Sequence, residues 1–258
     1  GTDFTKEEIL EVFKRLQWNP IDHQDHFTVD IPSYRIDVEG MADLSEEVIR
    51  LIGYDRLPST LPMMEMTEGK LNPSQRLRRE LRQYFTAQGL QDCVTYTLIS
   101  TKKMENAILS AGEAIELASP MSEERRYIRT SILPSLLDVV SYNQARHIPN
   151  INVFELSDVA AKEGVQTHGA FVLSEELQQT KWTGYSLPAD FYTAKGLMEA
   201  ILEKVGINEK RIHFVANEFD TQHFHPYRSA CIRIDQETIG IVGQIHPQYA
   251  KETGCKDV

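Results

Sequence analysis

The residues best suited to chemistry are four carboxylates, Asp37, Asp43, Glu46 and Glu47. Asp37 lies near the end of a short alternating stretch, Tyr34-Arg-Ile36-Asp-Val38, and the other three fall on the first turn of the helix that follows. A strand end meeting a helix start can bring such side chains together. Oxygen donors carrying that much negative charge suit Mg²⁺ or Ca²⁺ better than zinc. The same residues also have a purely local use. Asp43-Leu-Ser-Glu46 reads as a capping box, and acids in a first turn answer the helix dipole. Local pattern leaves both uses open.

The remaining constellations are thinner. His223-Phe-His225 sets two imidazoles on one face of a strand, as a zinc pair would, but no third or fourth ligand stands nearby, and buried or solvated histidines are the simpler reading. Ser131, Ser135 and Ser141 lie near Arg129 and His147 without the Gly-x-Ser-x-Gly elbow of a serine hydrolase. Neither Gly-rich phosphate cradle, Gly-x-x-x-x-Gly-Lys-Ser/Thr or Gly-x-Gly-x-x-Gly, occurs. Arg76, Arg78, Arg79 and Arg82 form the one basic stripe, and Glu80 interrupts it. A solvated helix face explains it better than a nucleic-acid contact.

These residues need elements to position them. Thr5-Lys-Glu-Glu8 is a capping box, and Ile9, Leu10, Phe13 and Leu16 recur on one helical face until Asn19-Pro20. Phe27–Ile31 and Tyr34–Val38 alternate around Pro32-Ser33 and predict a hairpin. A second helix follows from Asp43 to the stop at Gly53. Residues 1–60 thus form a compact module. Residues 61–73 read as a linker, within a proline-punctuated run from Leu57-Pro58 to Asn72-Pro73 that carries Met63-Met64-Glu65-Met66. In 74–258, Ser74 is expected to cap a helix that ends at Gly89. Strand character follows from Leu90 to Ile99, near Ile151–Leu156 and Ala170–Leu173, and at Ala230–Ile234 and Thr238–Val242, with a helix over Thr193–Val205. No regular βαβ rhythm links them, so the fold class is α+β with mostly antiparallel strands.

Bulk composition agrees with a folded globular chain. Of 258 residues, 41% are hydrophobic and 25% charged, enough for one large domain or two ordinary ones. The net charge of −11 has the wrong sign for gripping several phosphates through the chain's own field. Cys93, Cys231 and Cys255 are few, odd in number and far apart, which excludes a zinc ribbon or a disulfide framework. No apolar run approaches the roughly 20 residues of a membrane span, and no secretory signal opens the chain. A soluble, cytoplasmic chain with reduced thiols is the expectation.

Several strings together resemble the beta subunit of phenylalanyl-tRNA synthetases of bacterial type. Pro32-Ser-Tyr-Arg-Ile-Asp37 and Ala42-Asp43-Leu-Ser-Glu46-Glu47-Val-Ile-Arg-Leu-Ile-Gly53-Tyr54-Asp55 are similar to its winged-helix-like module. Ala118-Ser-Pro120-Met-Ser122-Glu, Arg129-Thr-Ser-Ile-Leu-Pro134-Ser-Leu-Leu137, Ser141-Tyr-Asn143, Phe154-Glu155, Phe191-Tyr-Thr-Ala-Lys195-Gly196, His225-Pro-Tyr-Arg228-Ser-Ala230 and Gly243-Gln-Ile-His246-Pro247 are similar to its catalytic-like core. The blocks run in order along nearly the whole chain. Ser135, Ser157 and Tyr227 stand where the family carries glycines.

The resemblance implies a winged-helix-like module followed by a class II aminoacyl-tRNA-synthetase-like antiparallel sheet with flanking helices. It also implies the central part of a longer chain. By the same resemblance Asp37, Asp43, Glu46 and Glu47 are magnesium ligands in a site shared with a catalytic alpha subunit, in an α2β2 enzyme that joins phenylalanine to its tRNA with ATP. Catalytic residues are not expected here. A class II site needs an arginine with a glutamate two residues on, and Arg129-Thr-Ser131 lacks that acid. It also needs an arginine after a glycine-rich stretch, and Gly240-Ile-Val-Gly243-Gln-Ile-His246 has none, so a leaving pyrophosphate would meet no stabilising group. Contact with tRNA through this part is expected to be weak or absent. An alternative is a free winged-helix nucleic-acid-binding or regulatory protein on residues 1–57, but its recognition helix would begin Asp-Leu-Ser-Glu-Glu and repel phosphates.

Overall fold

The computed structural model describes residues 2–256 and 258 and divides into two compact units, 1–69 and 70–258. In the first unit, helix α1 (Lys6–Arg15) opens on the expected box: Thr5 Oγ1 accepts from Glu8 N, and Glu8 accepts from Thr5 N. It ends before Asn19-Pro20. Gln17 takes a left-handed φ of 60° and the amides of Gln17 and Trp18 return to Lys14 O and Phe13 O, a Schellman ending made without glycine. That turn drives Trp18 into a small core with Val12, Phe13, Val38 and Val48.

The hairpin forms one strand earlier in the chain than the alternation predicts. Strand β1 (Pro20–Asp22) pairs with β2 (Phe27–Val29), whereas Tyr34–Val38 is a succession of turns. Arg35 N donates to Pro32 O, and Val38 N to Arg35 O, so these backbone groups are satisfied locally rather than across a ladder. Helix α2 (Met41–Ile52) starts two residues before the predicted Asp43. Gly40 is its N-cap, and Asp43, three positions in, folds back so that Oδ2 accepts from the amides of Gly40 and Glu39 at 2.8 and 2.9 Å. The predicted Asp43–Glu46 box is therefore a half-box led by Asp43, and Glu46 takes no part in it.

No regular element occupies 58–72, where Leu61, Met63 and Met66 are fully exposed. The second unit begins with α3 (Pro73–Ala87). Its N-cap is Asn72 rather than Ser74, in a box with Gln75, because Pro73 fills the first helical position, where a missing amide costs nothing. The stretch 90–99 splits into two short strands, β3 (Gln91–Asp92) and β4 (Leu98–Ile99). Then come α4 (Thr101–Glu105), β5 (Tyr127–Ile128), α5 (Leu133–Gln144), β6 (Val153–Ala161), β7 (Gly164–Val172), β8 (Glu176–Thr180), β9 (Tyr185–Pro188), α6 (Phe191–Lys204), β10 (Ile212–Ala216), β11 (Phe224–Ile234), β12 (Glu237–Ile245) and α7 (Pro247–Thr253).

Pairing is antiparallel except between β3 and β6, and the strands form several small sheets, the larger ones ordered β3-β6-β7 and β10-β11-β12. Helix α5 supplies Leu136, Leu137 and Val140 to one buried cluster. In another, Phe154 of β6 stacks on Phe85 of α3 with ring centroids 4.6 Å apart. Gly243 is required where β12 crosses the bulge of β11, since a Cβ there would lie 2.3 Å from Ser229 Cβ.

Candidate functional site

The four carboxylates of the first unit do different jobs. Arg35 lies between two of them. Its Nε and Nη2 donate to Asp37 at 3.0 and 2.7 Å, and its Nη2 and Nη1 donate to Glu47 at 2.8 and 3.2 Å. Arg50, one helical turn on, donates to Glu47 at 2.5 Å. The Arg35 guanidinium also rests over the buried Trp18 ring, 5.3 Å from its centroid. Hydrogen bonds from Arg35 hold the Asp37 carboxyl down at about 2. Those from Arg35 and then Arg50 hold Glu47 at about 2 although its side chain is buried. Asp43 is committed to the helix start, and Glu46 is exposed.

The oxygen donors have the right chemistry for magnesium, but their arrangement in this chain is not a metal cage. Among the described residues no three acidic, histidine or cysteine side chains are placed to hold an ion. The alternation over 34–38 predicts a strand and does not single out Arg35, whereas the chain turns there and brings Arg35 onto both Asp37 and Glu47.

In the second unit Arg129 is paired with an acid from a distant strand, Glu155 of β6. Arg129 Nη2 donates to Glu155 Oε1 and to Ser157 Oγ, each at 2.6 Å, and Nη1 donates to Thr95 Oγ1 at 2.6 Å. Thr95 and Ser157 in turn donate to Glu155. Burial pushes the Glu155 carboxyl up, but these hydrogen bonds and the arginine's charge outweigh it and leave it below its ordinary value. Both side chains are only 2% exposed. Ser157 thus supplies a hydroxyl to this network. A lone charge inside the apolar run Ile151–Leu156 was the sequence clue that Glu155 needs a buried partner.

The other candidates separate. His223 is buried with Nδ1 2.8 Å from Asp220, while His225 accepts from Tyr227 N, so the two imidazoles do not converge. Ser131 donates to Ile108 O inside the core. The basic stripe of α3 is half consumed by the fold: Arg78 pairs with Asp158, and Arg82 reaches Leu156 O and Asp92. A groove of about 730 Å³ beside α6 is lined by Glu199, Glu203 and Glu209 with Lys210, an unsuitable charge for a triphosphate. All three thiols are free, and among the described residues no helix is long and apolar enough to cross a membrane.

Comparison with known proteins matches two profiles in succession along the chain. The profile described as the tRNA synthetase B5 domain matches residues 1–54, and that of the phenylalanyl tRNA synthetase beta chain CLM domain matches 57–258. The chain is 38% identical to the phenylalanine–tRNA ligase beta subunit of Geobacillus kaustophilus, 37% to that of Bacillus licheniformis and 36% to that of Bacillus subtilis. Each match covers 100% of this chain and 32% of the relative, so the chain spans about a third of their length. Among solved structures, a pyrrolysyl tRNA synthetase of Desulfitobacterium hafniense superposes with a TM-score of 0.53 at 13% identity, covering 100% of this chain and 85% of the other, a likeness of fold to a class II synthetase. The profile over 57–258 and the relatives over the full chain place this protein in the phenylalanyl-tRNA synthetase beta-chain family.

Proposed function

We propose that this chain is a non-catalytic scaffold within a phenylalanine–tRNA ligase beta subunit. It pairs with a catalytic alpha subunit in a cytoplasmic α2β2 enzyme that uses ATP to attach phenylalanine to its tRNA. The observation that supports the reading is the buried Arg129–Glu155 network: both terminal nitrogens of the guanidinium are taken up by a carboxylate and two hydroxyls, so they are not free to take an α-phosphate, and its buried Nε alone lacks a partner. On the same reading, the two helices and hairpin of the first unit are a winged-helix-like module. Asp37, Asp43, Glu46 and Glu47 take up Mg²⁺ only in the assembled enzyme, and most tRNA contacts lie outside this chain.

The test compares the chain alone with its complex with the cognate alpha subunit. Co-purification is expected, with phenylalanine-dependent exchange of pyrophosphate into ATP confined to preparations containing the alpha subunit. Exchange by the chain alone overturns the non-catalytic role, and failure to associate overturns the scaffold. Asp43→Ala combined with Glu47→Ala is expected to lower the magnesium content of the complex, and unchanged content refutes those ligands.

A further inference from the structure

Three of the seven methionines stand within four residues, at Met63, Met64 and Met66, in the stretch 58–72 that holds no regular element. Met63 and Met66 are as open as in a free extended peptide, and Met64 is 75% exposed. Among the described residues none of the three packs into a buried cluster, whereas Met198 packs against two. Oxygen-donating oxidants are attacked by a thioether through a sulfur lone pair, so access largely decides which methionine reacts. A thiolate is the better nucleophile and ordinarily reacts first, but the thiols of this chain are withdrawn. Cys231 and Cys255 are buried, and their Sγ atoms donate to Asn217 Oδ1 and Leu137 O. Burial pushes the Cys255 thiol up, and burial with Glu155 and Asp92 nearby does the same to Cys93.

We propose that Met63, Met64 and Met66 form a reversible oxidation site for peroxide-class oxidants, one that reacts before the thiols do. The sulfur lone pair attacks one oxygen of hydrogen peroxide, and the S–O bond forms as the O–O bond breaks. The departing hydroxide takes the proton of the transferred oxygen and leaves as water. Each sulfur is oxidised by two electrons, and each peroxide is reduced by two. A thiol-dependent sulfoxide reductase reverses the step, removing the oxygen as water while two thiols become a disulfide. Met41 and Met121 are exposed too, but each stands alone. At 63–66 successive sulfoxides turn a continuous apolar strip, with exposed Leu61 beside it, into a polar one. These side chains support neither unit's core, so both units keep their fold through the cycle.

The experiment treats the full chain with dilute hydrogen peroxide and maps it with trypsin, whose peptide 57–70 carries these three methionines and no other sulfur. That peptide is expected to gain three oxygens ahead of Met104 and Met198, while Cys93, Cys231 and Cys255 all remain open to alkylation after unfolding. Methionine sulfoxide reductases A and B with dithiothreitol are expected to remove the oxygens, both being needed because each takes one sulfoxide epimer. The urea midpoint of the first unit, followed at Trp18 in a Trp182→Phe background, is expected to stay where it is. Retention on a hydrophobic-interaction column is expected to fall on oxidation. It should fall much less in a chain carrying Met63→Leu, Met64→Leu and Met66→Leu, which keep the apolar volume and lack the sulfur.

Consumption of any thiol, or of Met104 or Met198, before peptide 57–70 gains oxygen overturns the site. An equal loss of retention in the triple variant overturns the change of polarity at 63–66. A midpoint that falls as peptide 57–70 is oxidised also counts against the proposal, because the thioethers would then be part of the fold.

Discussion

Two arginines, one in each unit, hold carboxylates by the same chemistry and to different ends. Arg129 and Glu155 are each 2% exposed, with Thr95 and Ser157 donating to Glu155 and only the Arg129 Nε left without a partner. Arg35 serves Glu47, which is buried, and Asp37, whose side chain is 61% exposed. A sealed pair has nowhere to go, and losing one member strands the other in a medium that does not solvate it. A pair open on one side can trade partners with solvent ions. The difference leaves the first unit's pair open to solvent on one side and makes the second unit's pair a fixed part of its framework.

That contrast can be broken most directly at Glu155. Glu155→Ala is expected to destabilise the second unit by about 3–5 kcal/mol, read from calorimetric unfolding, because it leaves an uncompensated buried guanidinium. Glu47→Ala is expected to cost the first unit only about 1 kcal/mol, since Arg35 keeps Asp37 and Arg50 turns to water. Similar losses at both sites would erase the distinction.

Acid sharpens it. Asp37 and Glu47 titrate near 2 in the folded chain and near about 4 when unfolded, so their stabilising contribution is complete above pH about 5 and disappears as pH falls toward 2. The Trp18-detected urea midpoint should therefore be flat from pH 8 to 5 on this account and decline between about 4.5 and 2. A midpoint unchanged down to pH 3 would show that Arg35 does not hold these carboxylates in solution. The smallest effect is a control for ordinary helix energetics in the same unit. Thr5→Ala removes the acceptor of the Glu8 amide and should cost about 1 kcal/mol by the same readout.

Much of the fold was legible where the signal was local. Thr5–Glu8, the run that became α6, and the alternations at Ala230–Ile234 and Thr238–Val242 within β11 and β12 all appear as read. The misreadings arose where one local rule outranked another. Tyr34–Val38 alternates like a strand but lies between Pro32 and Gly40, and its amides bond within the turn. Asp43 suits an N-cap by its own residue type, whereas Gly40 holds that position and Asp43 serves from three residues on. Arg129 meets its acid on a strand twenty-six residues later, at Glu155. No periodicity encodes such a pair. A charge inside an apolar run declares only that a partner exists.

The parallel ladder between β3 and β6 bears on how the chain reaches this state. Gln91 aligns with Val153 and Asp92 with Phe154, so the pairing closes a loop of about sixty residues before Phe154 can stack on Phe85. In the first unit the strand pairing is local, since Pro20 meets Val29 across a short turn. Contacts so distant in sequence slow the search for the native topology far more than they alter its final stability. On a growing polypeptide, the arginine-clasped first unit can assume its shape while α3 still waits for the strand that covers Phe85.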